Sequence, residues 1–148
     1  MDISLQKEIE QVRVVETNRS YWFIRTYGGE LYEYFYKNSY IGLGFNHIPY
    51  QYIKEANWDD DATFNRLQNY ISNSTEYKKG EATKWANQLI SFDQELKLDD
   101  IVIIPSRNSD FLAVGIVESE TYIVKENSTF RFQDKFEPYP EKRKAIKW

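Results

Sequence analysis

Few residues in this chain could carry covalent or acid-base chemistry. Cysteine is absent and His47 is the single histidine. That composition excludes Cys-His nucleophiles, disulfides and the common cysteine-based zinc sites. Glu95-Leu96-Lys97 has the Glu-x-Lys form of metal-dependent nuclease centres, with Asp93 two positions upstream. Such centres need the Glu and Lys on a strand beside an acidic partner. Here the triplet falls at the end of a helical pattern, just before the Asp99-Asp100 turn, and reads as a chance match. No glycine-rich phosphate loop of the Walker or dinucleotide type occurs. The expectation is a non-enzymatic chain with no catalytic residues, no metal and no cofactor.

The surplus is aromatic. Tyrosine, phenylalanine and tryptophan make up 17% of residues, with 12 Tyr and 4 Trp. That exceeds what a core of this size needs, and amphipathic rings left over can stack on flat ligands. Charge is also uneven. The formal net charge is -4, yet residues 122–148 hold 7 Lys and Arg against 4 Asp and Glu. Lys142, Arg143 and Lys144 are therefore expected to face phosphates, with solvated surface as the plainer reading.

The elements that must position these groups fit one domain, since 148 residues match the usual domain size. No apolar segment suited to export or membrane insertion is present, which makes a cytoplasmic protein the expectation. The sequons at Asn18, Asn73 and Asn127 then carry no weight. Residues 1–18 are weakly patterned: Ile3, Leu5, Ile9 and Val12 suit a short helix, and Val12 to Val15 a strand. Tyr21 to Thr26 reads as a strand with Trp22 and Ile24 on one face and Tyr21, Phe23 and Arg25 on the other. Glu30 to Lys37 reads as a short helix and Tyr40 to Phe45 as a strand. Gly42 and Gly44 inside that strand mark a close approach by other groups.

Asp61 to Ile71 carries Phe64, Leu67 and Ile71 at helical spacing behind the capping run Asp59 to Asp61. Glu81 to Phe92 is a stronger helix, with Ala82, Trp85, Ala86, Leu89 and Ile90 in one stripe that reads as core. Asp99 and Asp100 stop it. Ile101 to Ile104 is then a buried strand ended by Pro105, and Phe111 to Val117 returns as its hairpin partner. Mixed elements without βαβ alternation predict an α+β fold, with a curved, barrel-like mixed sheet and helices packed outside it.

The stretches YWFIRTYGGELYEYFYKNSYIGLGF (21–45), LDDIVIIPS (98–106), VGIVES (114–119) and YPEKRKAIKW (139–148) together resemble a PUA-like domain of the EVE and YTH kind. More narrowly, the chain is similar to the recognition modules attached to Mrr-type modification-dependent restriction and defence proteins. The order and spacing of these stretches carry the likeness. It departs from such modules at Phe45, where Gly-Trp is common, and at Asp99, where glycine is. Phe45 keeps a π face and loses the indole donor.

The resemblance implies a module that binds nucleic acid, DNA before RNA. It implies sensing of a modified or flipped base on behalf of a nuclease or other effector domain. A base pocket needs stacking rings and groups aimed at the base edge. Phe45 and Trp58 are the stacking candidates; Arg25, Asn46 and Ser106 are the edge or backbone readers. Arg107 joins Lys142, Arg143 and Lys144 as a phosphate contact. Each has a structural alternative: core for Phe45, a helix-entry staple for Trp58, local bonding for Asn46, an ion pair or cation-π contact for Arg25. His47 reads as a turn residue. The rival class is a protein-interaction or small-ligand regulatory domain that binds no nucleic acid.

Overall fold

The computed structural model describes residues 19–148; the readings made for Ile3 to Val15 and the sequon at Asn18 lie outside them. The strands are β1 (Tyr21–Phe23), β2 (Tyr40–Leu43), β3 (Ile101–Pro105), β4 (Leu112–Val117), β5 (Tyr122–Ile123), β6 (Thr129–Phe132), β7 (Lys135–Pro138) and β8 (Lys142–Lys147). The helices are α1 (Tyr32–Asn38), α2 (Tyr50–Glu55), α3 (Asp61–Ser74) and α4 (Lys79–Ile90), the last running into a π turn at Ser91–Glu95.

Six strands form one mixed sheet in the order β1-β3-β4-β8-β2, with β5 also on β8, and the sheet curls into a half-barrel with the helices outside it. The fold is thus α+β with a curved sheet. All four strands expected from the sequence belong to this one sheet. β1 joins it in parallel, Tyr21 opposite Ile101 and Phe23 opposite Ile103; the other pairings are antiparallel. β6 and β7 make a separate hairpin. Its turn residues Gln133 and Asp134 both take positive φ without a glycine, which is why the sequence gives so weak a turn signal.

The expected alternation in β1 holds. Tyr21 and Phe23 face outward, whereas Trp22 packs against the sheet core of Leu31, Phe35, Tyr40, Ile41, Val102 and Ile104. A second core lies among α2, α3 and α4, built from Ile48, Ile53, Leu67, Ile71, Ala86 and Leu89. Leu43 at the end of β2 touches both. The cap of α3 is Asp60, whose carboxylate accepts from the Ala62 N–H at 3.1 Å. α2 is shorter than two turns and has no side-chain cap, so periodicity alone does not reveal it.

Asp100 fastens β1 to β3. Its buried carboxylate accepts from the Trp22 indole at 3.0 Å, the Lys97 N–H at 2.9 Å and the Ser20 N–H at 3.3 Å. Replacing Asp100 by Ala leaves these donors without their acceptor, and should lower the unfolding free energy measured in urea by about 3 kcal/mol, since each buried donor left unpaired costs about 1–3 kcal/mol. Asn at this position keeps one acceptor and should recover part of the loss. An Ala variant as stable as the parent would show that β1 is held by packing alone.

Candidate functional site

The groups of interest gather where β2 leaves the sheet. Gly42 and Gly44 allow the close approach expected of them. A Cβ at Gly42 would stand 2.7 Å from the Pro140 ring and 2.8 Å from the Lys142 carbonyl, and one at Gly44 would stand 2.5 Å from the Tyr27 hydroxyl. The chain then turns sharply at Phe45, which has φ 62°, a left-handed conformation that is uncommon for a bulky residue.

Two side chains hold this turn. The Asn46 amide donates to the Tyr139 carbonyl at 3.0 Å while its oxygen accepts from the Glu141 N–H at 2.9 Å, so one side chain satisfies two backbone groups of the β7-β8 connection. The Lys142 ammonium donates to the Phe45 carbonyl at 2.6 Å. Asn46 is therefore occupied as a structural bridge rather than aimed at a ligand.

Phe45 enters a cluster of half-buried rings. Its centroid lies 5.0 Å from Trp85, 6.2 Å from Tyr77 and 6.1 Å from His47, and Tyr77 and Trp85 are 6.0 Å apart. Lys84 places its ammonium 5.9 Å from the Trp85 ring. Tyr27 approaches over Gly44, and burial together with Glu137 and Tyr77 pushes its hydroxyl pKa up. His47 is bonded to the Ser74 hydroxyl at 3.0 Å, and burial and Lys142 push its pKa down. In this corner the rings pack on one another and on the helical core, with the Tyr27 hydroxyl lying over Gly44. Among the described residues no three His, Asp or Glu side chains are grouped to hold a metal. Tyr77 and Tyr27 were missed by sequence reasoning, because each stands beside a turn with no periodicity to mark its direction.

Trp58 stands apart. Its indole donates to Asn87 at 2.9 Å, two positions along α4 from Trp85, and residues two apart on a helix do not share a face. Its hydrogen-bond partner is on α4 rather than on α3, the helix it precedes, and the ring is 42% exposed. Arg25 is exposed just beyond β1. Ser106 accepts from the Phe111 N–H at 2.8 Å and closes the β3-β4 loop, and Arg107 in that loop pairs with Glu30. The structure thus brings together Phe45, Asn46 and Lys142, and places Ser106 and Arg107 in a loop of their own.

The basic run does not fit a phosphate-facing tail. Lys142, Arg143 and Lys144 are 4%, 7% and 1% exposed. Arg143 lies 4.1 Å from the Tyr40 ring centroid, donates to the Pro140 carbonyl at 2.8 Å and pairs with Glu126 at 3.2 Å. Lys144 donates to the carbonyls of Asp93, at 3.2 Å, and of Leu96. The physical reason is that their stems are apolar enough to line a core and each cationic head finds an internal acceptor. The triple change to Ala should therefore lower the thermal midpoint markedly; a parent-like melt would return these residues to the surface.

Burial pushes the Lys142 ammonium down to about 8, Lys125 adding to the shift and Glu141 opposing it. A lysine of the unfolded chain titrates near 10.5, so between these values the unfolded state holds a proton that the folded state has released. Stability should then rise with pH from about 8 towards 10. Lys144, also shifted down by burial, adds to the same rise. Lys142→Met should flatten the slope in urea titrations over this range, and identical slopes for parent and variant would show that Lys142 titrates normally.

No described helix is long and apolar enough to cross a membrane. No curated protein and no solved structure matches the chain. The family model described as Domain of unknown function (DUF8426) matches residues 22–148, which take in the aromatic corner and β8 and all of β1 but Tyr21, and the chain belongs to that family.

Proposed function

We propose that the chain is a PUA-like recognition module of the EVE and YTH kind, which binds nucleic acid and senses a modified or flipped base for a separate effector. It performs no catalysis itself. The observation that carries this reading is the cluster of half-buried Phe45, Tyr77 and Trp85 beside the left-handed turn, at the margin of a curved sheet. Rings held in this way present π faces without an induced rearrangement, and every base has a face to stack on. The Tyr27 and Tyr77 hydroxyls and Glu137 supply donors and an acceptor for the base edge. DNA is the first candidate, because extruding one base from a duplex frees its faces for stacking on such rings.

A second reading, a regulatory domain for a protein or small ligand, is favoured by one observation. The basic run is turned inward, which removes three cations from any phosphate contact. Under the first reading, binding then rests on stacking and on exposed cations such as Arg25 and Lys84, and its dependence on salt is shallow.

Fluorescence anisotropy against matched oligonucleotides with and without modified bases separates the two. Phe45→Leu keeps most of the bulk and removes the ring, and should weaken binding by about 1–3 kcal/mol, the usual worth of one stacked base, with a melt close to the parent's. A parent that binds none of the oligonucleotides would favour the regulatory reading. Unchanged binding by the Leu variant would remove Phe45 from the interface.

A further inference from the structure

Helices α2, α3 and α4 come from one uninterrupted stretch, residues 47–90, and build the second core largely by themselves. Two short connections join that stretch to the sheet: the left-handed turn at Phe45 and the π turn at Ser91–Glu95. The bonds sent towards the helices by β8 and the connection before it all end at these two places. Lys142 donates to the Phe45 carbonyl, Tyr139 and Glu141 meet Asn46, and Lys144 donates to the carbonyls of Asp93 and Leu96. Among the described residues, no hydrogen bond or ion pair joins residues 47–90 to the sheet or to the β6-β7 hairpin. We propose that this helical unit is an arm that swings on the Phe45 turn and the π turn as a hinge.

Both pivots suit the role. Helices bend most sharply at features such as π turns, and a hinge is a few connecting residues that absorb the change in backbone angles. Rotation about points that β8 already holds leaves the acceptors of its buried cations in place. Between the pivots, a seam separates arm from sheet. It is lined by Leu43, Ile53, Leu89, Asp93, Thr121 and Lys142 and is too narrow for water. The buried Thr121 hydroxyl has no hydrogen-bond partner among the described residues, a cost that hydration removes when the seam opens. Leu43 is the strand residue that packs on both cores and so closes the seam.

The aromatic corner spans this hinge. Tyr77 and Trp85 ride on the arm, Tyr27 and Glu137 belong to the sheet core and the hairpin, and Phe45 marks a pivot. The structure shows the angle at which Phe45, Tyr77 and Trp85 meet. On the recognition reading, a base stacked there touches both bodies and holds that angle, so the position of the arm reports occupancy to the effector.

The chain has no cysteine, so introduced pairs carry spin labels at chosen positions alone. Glu81→Cys on the arm and Lys135→Cys on the hairpin, both exposed, span the hinge. Glu81→Cys with Asn65→Cys, both within the arm, is the control. Pulsed electron-electron double resonance on the full chain should give one distance for the control and a second, longer distance for the spanning pair. Leu43→Ala loosens the seam and should raise the share of the longer distance several-fold, whereas Thr121→Val removes the orphan hydroxyl and should lower it. Leu43→Val serves in place of the Ala change if that chain does not fold. One narrow distance in every spanning chain would overturn the hinge, and so would a second distance that the control shares. Oligonucleotides with modified bases, their binding read by anisotropy on the same samples, test the recognition reading separately. A bound oligonucleotide should abolish the longer distance; binding that leaves both distances in place would show that the corner does not couple to the arm. Two distances in a chain that binds none of the oligonucleotides would support the hinge and remove the recognition reading.

Discussion

Strand β8 carries a constraint on which most of this structure depends: three consecutive cations buried in one strand. An ammonium or guanidinium withdrawn from water costs several kcal/mol unless its donors are met by acceptors. β8 meets them with groups drawn from the whole chain. Lys142 reaches the turn after β2, Arg143 the Pro140 carbonyl and Glu126, and Lys144 the end of the π turn after α4. The backbone of the same strand pairs with β2, β4 and β5. Sheet, helical layer and aromatic corner are thereby referred to one element, and none can shift without leaving a buried charge unmatched.

The aromatic surplus has a similar double aspect. Many of the rings form a continuous series in which Tyr34 stacks on Tyr139 at 3.9 Å, Tyr139 meets Phe130, Phe130 meets Tyr27 edge to face, and Tyr27 meets Phe132. This series fastens the β6-β7 hairpin to the sheet core. Tyr27 then links it to the corner at Gly44 and Phe45. Rings that looked available for recognition are in large part the joint between two sheets, and the hairpin leaves only Phe136 largely bare, at 74% exposure.

How far the sequence discloses this depends on the range of the interaction. The β3-β4 hairpin, the outward row of Tyr21 and Phe23, and helices α3 and α4 follow from neighbours a few positions apart, so periodicity and turn chemistry reveal them. The Lys142-Arg143-Lys144 run misleads because its acceptors lie up to 97 positions away; locally it has the composition of a solvated tail. Asn46 has the same ambiguity, since its partners are on the β7-β8 connection. Phe45 was legible as a ring beside glycine, whereas its neighbours Tyr77 and Trp85 come from another part of the chain.

The clamp at Asp100 has a further consequence during folding. β1 is three residues long and pairs in parallel with a strand 80 positions away, so this pairing closes a long loop and is expected to form late. Until then the edge of β3 is open, and Ile101-Val102-Ile103-Ile104 is the sort of uncharged, β-branched run that recruits strands from other molecules. Asp99 and Asp100 precede it and Pro105 follows it, an arrangement of gatekeepers around an unavoidable sticky segment. The carboxylate that fastens β1 in the finished molecule thus also guards the nascent strand against intermolecular pairing while its proper neighbour is still absent.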